Sequence, residues 1–464
     1  MLRFCAIAVL YAVVSHACKV EKNCWGGNSG CTVTVRNAPK QVTVTVPGAS
    51  KVQQWNADVI SHSGDKYVFR LKWDNFGFNA VGTTNINVDC EGGSQVVHSS
   101  GGAAGGVISE GQGYGLLMAA TAAAASDGTD KQSINYAVEL FNGWQAMCKK
   151  SNDPKACQRP DCNGASCLPH WKFSDDMNQV HGTGSAPDGD EDAILGMILL
   201  VQSTKGKGYK WWDEIGSWAY KSCKAFIDFN TVAGNPRILK LGSCWGGWDC
   251  SNPSYLSPAH WRVCRDYMKK YKSKFGGGED YTGHWNNLIK SSYEMLQANQ
   301  CPQTGLTTNW WKPSRGNLAG GGSTGCSGSG TPAAEFGAEA SRGVWRVALD
   351  YLWYGDKANE GVGAKTYTTR VAKHATEKAN SNQNLSPGCH VHSIHNWLQD
   401  AFMYGPVASS LIVDSGASGQ QQALDKMAAK IDSTPINGYY GGSWVALSTM
   451  TLNGEFAKAQ KYLP

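Results

Sequence analysis

Three acidic segments of this chain could supply the carboxyl groups of a hydrolytic site. Glu110 lies in the glycine-rich stretch 109–115, Asp188 lies in a second acidic stretch, and Glu339 lies three residues before Arg342. Carboxyl groups can donate a proton to a leaving group and activate a water molecule, which is the chemistry of acid/base hydrolysis. The pattern therefore favours a hydrolase, with these carboxyls as candidate catalytic groups.

A helix-like apolar pattern follows each of the three carboxyls. Ser109 and Gln112 have the spacing of a capping box, which predicts Glu110 in the first turn of a helix. The glycines around Glu110 would let a substrate approach its carboxyl closely. Asp188 and Glu191 also have capping spacing, so a purely structural helix cap is an alternative interpretation of Asp188.

Composition and charge exclude several classes of partner. The 464-residue chain has a formal net charge of only +5 and no runs of basic residues, so we expect no nucleic-acid partner. Residues 1–17 have the basic end, the apolar stretch and the small-residue cleavage site of a secretory signal peptide. No later segment approaches roughly eighteen unbroken apolar residues. We therefore expect a secreted, extracellular monomer with no membrane span.

The 16 cysteines of a secreted chain favour disulfide bonds over metal ligation. Cleavage after Ala17 would remove Cys5 and leave an odd number, so either one thiol stays free or cleavage also removes Cys18. Six cysteines in Gly-, Asn- and Pro-rich stretches would staple loops: Cys157, Cys162, Cys167, Cys244, Cys250 and Cys264. The histidines of segment 389–395 form only a weak metal motif, and we expect neither a metal nor another cofactor.

The chain divides by its pattern into a β-rich start and a helical remainder. Residues 18–92 alternate at period two between turn residues, which predicts a small all-β sandwich domain. Residues 93–108 have the composition of a short Gly/Ser-rich linker. From 109 to 464, about twelve helical segments alternate short turns with long Gly-, Pro- and Trp-rich loops. They are expected to begin near residues 110, 131, 190, 210, 257, 282, 337, 366, 395, 419, 441 and 454. Helical hairpins of this kind would close into a ring with its binding residues at the long-loop end.

Several motifs of the helical region resemble glycoside hydrolase family 8. Residues 109–115 look like the acid-bearing segment of that family, and residues 186–190 are similar to its Ala-x-Asp-Gly-Asp segment. The remaining matches are the loops 252–259 and 304–306, the helix at 340–346, which resembles the base-bearing helix, and the segment 439–441. The resemblance runs in order from about residue 105 to the C-terminus. It implies an all-α (α/α)6 barrel that cleaves β-1,4-linked polysaccharide with inversion and without a cofactor.

The resemblance also implies roles for individual residues. Glu110 would be the general acid, Asp188 would hold the distorted sugar at the cleavage position, and Arg342 would bind nearby. The usual base of the family is an Asp directly before Ala-x-Arg, and this chain has Glu339 at that place. The candidates for the base are therefore Glu339 and, in the preceding loop, Glu335. Glu339 could also be an ordinary solvated residue at a helix start.

Aromatic residues are the candidate contacts with the sugars, because the C–H faces of sugar rings stack on aromatic planes. In the long loops and at the last inner helix these are Trp171, Trp245, Trp248, Tyr255, Trp310 and Tyr439. Each loop Trp could instead pack beneath its own loop. The β-rich domain resembles carbohydrate-binding module family 2, with Trp25, Trp55 and Trp73 as its candidate stacking rings, although Trp73 could belong to its core.

These features lead to one main hypothesis and two alternatives. The main hypothesis is a secreted endo-β-1,4-glucanase that acts on cellulose or a related β-glucan. The same family resemblance covers xylanases and chitosanases. A protein of a different class, which binds polysaccharide without cleaving it, would keep the groove and lose the base. Glu339 in the place of the usual Asp keeps that alternative open.

Overall fold

The computed structural model describes the chain from residue 94 onward, except for residues 100–104, 152–161, 329, 356–362 and 435–438. Between residues 19 and 89 it describes the backbone of five strands. The predicted signal peptide, Trp55 and Trp73 lie outside the described residues, and so does the side chain of Trp25. The carbohydrate-binding roles of these three tryptophans stay predictions.

Four of the N-terminal strands form one antiparallel sheet. They are β1 (Lys19–Trp25), β2 (Gly30–Arg36), β3 (Asn56–Ser63) and β4 (Lys66–Lys72), in the order β1-β2-β4-β3. The alternating segments 32–35 and 67–71 lie in β2 and β4, since β-branched and aromatic residues favour strands. β5 (Ile86–Asp89) pairs with β6 (Ser94–Val97). The packing of two sheets that a sandwich requires stays a prediction.

Six consecutive helical pairs make up most of the remaining described chain. Their twelve α-helices are α1 (Ser109–Ala125), α2 (Lys131–Lys149), α3 (Pro187–Ser203), α4 (Trp212–Phe229), α5 (Pro258–Phe275), α6 (Thr282–Asn299), α7 (Ala338–Tyr354), α8 (Ala364–Ser381), α9 (Ala401–Ser409), α10 (Gln420–Ser433), α11 (Tyr439–Leu452) and α12 (Glu455–Ala459). Every residue of α3 is buried, whereas α10 buries only Ala423, Met427 and Ile431. That spacing of four marks a single apolar stripe, so α10 lies at the surface and α3 lies inside.

The first helices of the six pairs form a closed inner ring. Contacts run from α1 through α3, α5, α7, α9 and α11, and α11 returns to α1. This arrangement is consistent with the predicted (α/α)6 barrel. Helices begin within a few residues of the positions expected from the sequence, except that α9 begins at 401 and not near 395. Trp397 explains this difference, because its backbone and indole N–H groups donate to Asn384 and Gln383 and hold the segment outside the helix.

Long loops and short strands gather at the end of the ring where the inner helices begin. The connections 150–186, 230–257 and 300–337 precede α3, α5 and α7, whereas 126–130 and 204–211 join helices at the opposite end. The short strands form one three-stranded sheet and three two-stranded pairs: β7 (Val107–Ile108), β8 (Lys172–Phe173) and β9 (Val180–Gly182); β10 (Thr231–Val232) and β11 (Ile238–Leu239); β12 (Lys312–Ser314) and β13 (Asn317–Gly322); β14 (Glu335–Phe336) and β15 (Ser393–Ile394).

Disulfide bonds brace the described helices and loops. Those that join two described residues are Cys162–Cys167, Cys223–Cys264, Cys250–Cys326 and Cys301–Cys389, and Cys244 is also disulfide-bonded. The preference of the cysteines for disulfides is thereby confirmed. The expectation that Cys264 staples a loop is wrong, because Cys264 lies on α5 and is bonded to Cys223 on α4, which joins two helices. Cys148 is a buried free thiol.

Part of the segment interpreted as a linker packs against the helices. Val97 is fully buried, and its N–H donates to Gln112 Oε1 at 2.8 Å. Gln112 Nε2 in turn donates to the carbonyl of Leu140 at 2.7 Å, which anchors α1 to α2. The capping box expected from Ser109 and Gln112 is therefore wrong, since Gln112 is used for packing and α1 has no side-chain cap. The domain boundary itself stays a prediction.

Glycines let α1 and α3 cross with their backbones in contact. A Cβ atom added at Gly113 would lie 2.4 Å from the carbonyl oxygen of Gly189, and one added at Gly189 would lie 2.5 Å from the N atom of Glu110. Only glycine permits so close an approach. The glycines of the 109–115 segment were expected to admit a substrate, and Gly113 is instead required for helix packing. The crossing brings Glu110 next to Asp188.

Candidate active site

The inner helices deliver the three candidate carboxyls to one groove of about 960 Å³ at the long-loop end. Glu110, Asp188 and Glu339 each lie in the first turn of their helices, α1, α3 and α7. Arg342, one turn along α7 from Glu339, lines the same groove. Ring closure of the barrel therefore brings together residues that are up to 232 positions apart in the chain.

Arg342 is the centre of the carboxyl cluster. Its Nη1 donates to Glu110 Oε1 and, at 2.9 Å, to Asp188 Oδ2, while its Nη2 donates to Glu339 Oε2. The side chain is 4% exposed. The rings of Tyr255 and Tyr440 lie 5.2 and 5.9 Å from the guanidinium carbon. Buried charges require such pairing, so one cation makes the assembly of three carboxyls possible.

Glu110 has the environment of a proton donor. Burial raises its pKa from 4.5 to about 7, and the nearby charge of Asp188 adds to this rise. Arg342 and the hydroxyls of Tyr439 and Tyr114 act in the opposite direction. Tyr114 donates to Oε1 at 2.9 Å, and Tyr439 donates to Oε2. A substantial fraction of Glu110 therefore keeps its proton near neutral pH, as an acid catalyst requires.

The carboxyls that follow Asp188 in the chain bind to neighbouring elements of the site. Arg346 is fully buried and forms ion pairs with Glu191 at 2.9 Å and Asp192 at 2.8 Å, which joins α7 to α3. Asp190 accepts a hydrogen bond from Asn230 at 2.7 Å. Asp188 does not cap α3 with its side chain, because the cap position is Ala186. The purely structural interpretation of Asp188 is therefore not what the geometry favours.

The two candidates for the base occupy different environments. Glu339 lines the groove and contacts Arg342 and Asn252. Glu335 lies on the short strand β14, accepts a long hydrogen bond of 3.4 Å from Asn309 and is not among the residues that line the groove. The geometry favours Glu339.

Aromatic rings line the groove on both sides of the carboxyl cluster. Of the candidates from the sequence, Trp171, Trp245, Tyr255, Trp310 and Tyr439 line it. Trp248 does not, and it packs half-buried against the core instead. Its proposed contact with substrate therefore lacks support, and the alternative of packing under its own loop applies to it.

Three of the groove tryptophans pack directly against glycines. A Cβ atom added at Gly242 would lie 2.3 Å from the ring of Trp245, and one added at Gly182 would lie 2.2 Å from that of Trp171. Gly328 lies beneath Trp310 in the same way, at 2.7 Å. These loop glycines let each indole lie flat on the backbone. Trp245 remains 38% exposed, so much of its surface is available for contact.

Sequence reasoning missed several residues of the site. Tyr114, Asn252 and Tyr440 touch Glu110, Glu339 or Arg342, and Phe402 and Asp400 line the far side of the groove. Tyr114 lies four residues after Glu110, so helical spacing could have identified it. Asp400 and Phe402 could not be placed, because the start of α9 was expected too early.

Two further properties concern only the described part of the chain. No group of three or more His, Cys, Asp or Glu residues there is arranged to hold a metal ion. None of the helices there combines the length and apolar character that crossing a membrane requires.

A helical barrel whose groove holds a raised-pKa glutamic acid, further carboxyls and aromatic rings fits the class of glycoside hydrolases. The sequence model of the glycosyl hydrolases family 8 matches residues 160–389. Endoglucanase A of Acetivibrio thermocellus is 26% identical over 370 residues, or 75% of this chain and 62% of that protein. The family model thus matches just under half of the chain, and the chain spans less than two thirds of the length of Endoglucanase A.

Solved structures show the same fold. A β-1,3-1,4-glucanase from Paenibacillus sp. X4 superposes with a TM-score of 0.62 at 18% identity, covering 82% of this chain and 89% of that one. Rex8A from Paenibacillus barcinonensis, complexed with xylose, gives 0.58 at 17% identity, covering 81% and 88%. At such identities the likeness concerns the fold alone. The family segment 160–389 includes Asp188, Glu339 and Arg342 and begins after Glu110.

Proposed function

We propose that this protein is an inverting endo-β-1,4-glucanase that acts on cellulose or a related β-glucan. The observation that carries the proposal is the cluster of Glu110, Asp188 and Glu339 around Arg342, with Glu110 able to hold its proton near pH 7. The match of residues 160–389 to the family 8 model and the similarity to an endoglucanase support it.

In the proposed reaction, Glu110 gives its proton to the glycosidic oxygen as the bond to the anomeric carbon breaks. Glu339 takes a proton from a water molecule that attacks the opposite face of the sugar ring, so the configuration inverts. Asp188 holds the sugar at the cleavage position. Proton donation and proton uptake by separate carboxyls leave the enzyme ready for its next cycle after one proton exchange with water.

Substrate binding is proposed to use the aromatic groove. Trp171, with Trp245 in place of Trp248, would stack on sugar rings, and Tyr255 and Tyr439 would contact the sugar next to the cleaved bond. Trp310 is only 4% exposed and would border the groove. The chain is proposed to be secreted, which fits its disulfide bonds, and to act as a monomer. The polysaccharide is its only proposed partner.

Xylan or chitosan is the alternative substrate, and binding without cleavage is the alternative function. The complex of Rex8A with xylose is the observation that keeps xylan in consideration. A reducing-sugar assay on soluble cellulose, xylan and chitosan, with Glu110→Gln as the inactive control, separates these cases. The proposal expects release of reducing ends fastest from the cellulose derivative and none with the variant. Binding of all three without hydrolysis would refute it.

A further inference from the structure

We propose that Asn252 is a positioning residue for the base, holding the Glu339 carboxylate through a hydrogen-bond donor whose direction is fixed by Ser254. This inference rests on the proposed function, because it assigns Glu339 the role of base. Asn252 is 1% exposed, and its Nδ2 donates to Glu339 Oε2 at 2.7 Å.

Ser254 fixes which end of the Asn252 amide faces Glu339. Both donors of Ser254, its backbone N–H at 2.9 Å and its hydroxyl at 2.7 Å, bind to Asn252 Oδ1. An amide has one acceptor end and one donor end, so occupation of Oδ1 by two donors turns Nδ2 toward the carboxylate. A flipped amide would place two oxygen atoms against each other and would leave both Ser254 donors without an acceptor.

The loop that carries Asn252 is held rigidly against α7. Ser251 exchanges two backbone hydrogen bonds with Trp311, at 2.7 and 2.9 Å, and the neighbouring Cys250 is bonded to Cys326. On the other side of Asn252, the backbone of Ser254 packs on Gly343 of α7, where an added Cβ would lie 3.3 Å away. The donor on the loop and the acceptor on α7 are therefore fixed relative to each other.

The hydrogen bonds to Glu339 determine the direction in which its carboxylate faces. Arg342 Nη2 and Asn252 Nδ2 both donate to the same oxygen of Glu339. Two donors on one oxygen fix the rotation of the carboxylate, and an inverting base must present its oxygen to one water position. Glu339 is one methylene longer than Asp and has one more rotatable bond, so its carboxylate depends more on such external contacts.

Asn252 also caps the short helical turn at residues 253–255, and a purely structural role must be separated from the positioning role. Asn252→Asp achieves this, because Asp keeps the oxygen that caps the turn and loses the donor to Glu339. We expect kcat of Asn252→Asp and of Asn252→Ala on soluble cellulose to fall roughly 10- to 100-fold with KM nearly unchanged. Asn252→Asp also places a second carboxyl oxygen against Glu339, so kcat is compared at a temperature at which circular dichroism shows every variant folded. Asn252→Ala removes the same donor without adding a charge and should show the same fall in kcat.

Asn287→Ala is the matched control, because Asn287 also hydrogen-bonds to backbone groups and lies far from the groove. Its Nδ2 donates to the carbonyl of Gly234, and its Oδ1 accepts from the N–H of Arg237. It should lower stability and leave kcat unchanged. A wild-type kcat for Asn252→Asp would overturn the inference and leave the proposed function standing. A wild-type protein without glucanase activity would refute the proposed function, and the inference with it. A crystal structure of Asn252→Asp adds a readout independent of turnover, and an unmoved Glu339 carboxylate would refute the positioning role.

Discussion

Replacing Glu110 with Gln tests the central group of the site, because the amide keeps the size of the side chain and does not titrate. Burial raises the pKa of Glu110 from 4.5 to about 7. The folded state therefore binds this proton more tightly than the unfolded state. The contribution of Glu110 to the free energy of unfolding is fully present below pH 4.5 and is lost as the pH rises through about 7. The full difference corresponds to about 3 kcal/mol.

The measurement is urea unfolding of the wild type and Glu110→Gln at pH 5 and pH 8. Between these pH values the wild type should lose roughly 2 to 3 kcal/mol relative to the variant. Glu455 also has a pKa raised by burial to about 7, so the difference between the two proteins is the informative quantity. Glu294→Gln is the control, since Glu294 is a partly exposed residue paired with Lys290 at 3.8 Å. A difference between variant and wild type that is independent of pH would refute the buried, proton-holding state of Glu110.

The same variant should lose hydrolysis. Removing the proton donor costs about 10²- to 10⁴-fold in rate, while glucan binding should persist because the groove keeps its shape. In the wild type, kcat/KM should fall as the pH rises through about 7, since ionised Glu110 has no proton to give. Activity of Glu110→Gln within a few-fold of the wild type would show that another group is the acid.

Three further predictions concern the base, the groove and the N-terminal domain. Glu339→Gln should stop turnover and Glu335→Gln should be mild; the opposite pattern in a reducing-sugar assay would move the base into the preceding loop. Azide should partly rescue the smaller Glu339→Gly by forming an inverted glycosyl azide, detectable by NMR. Trp245→Ala should raise KM for long glucan chains by about fivefold or more with little change in kcat, and an unchanged KM would exclude stacking on this ring. Residues 18–92 alone should bind insoluble cellulose, less so after Trp55→Ala, and a domain that stays in the supernatant would have no such role.

The helical ring could be anticipated from the sequence because its signals are local. Short turns alternate with long loops, and an apolar run or an apolar stripe marks the helices, so the count of about twelve and most helix starts required no knowledge of tertiary contacts. The same local pattern placed Glu110, Asp188 and Glu339 at helix starts, where the structure has them. The capping box at Ser109 failed because tertiary packing took Gln112 for another purpose.

The contacts between elements could not be anticipated. Nothing near Arg342 in the sequence indicates that its guanidinium binds Glu110, 232 positions earlier. Trp245 and Trp248 are three residues apart in one Gly-rich loop, and only the fold places Trp245 in the groove and packs Trp248 against the core. The glycine that packs against each groove tryptophan could not be predicted either, because it is distant in sequence or is one of 55 glycines in the chain.

The charge of the cluster suits the reaction proposed for it. The mechanism uses a neutral Glu110 together with ionised Asp188 and Glu339, and the single positive charge of Arg342 then leaves a net charge of −1 beside the sugar. Glycosidic cleavage builds positive charge on the ring, and a fixed negative charge in a desolvated groove stabilises that transition state. A second arginine in the same place would cancel this charge, and the absence of any arginine would leave the two ionised carboxylates repelling each other. One buried guanidinium therefore keeps the carboxyls together and leaves the charge that the transition state requires.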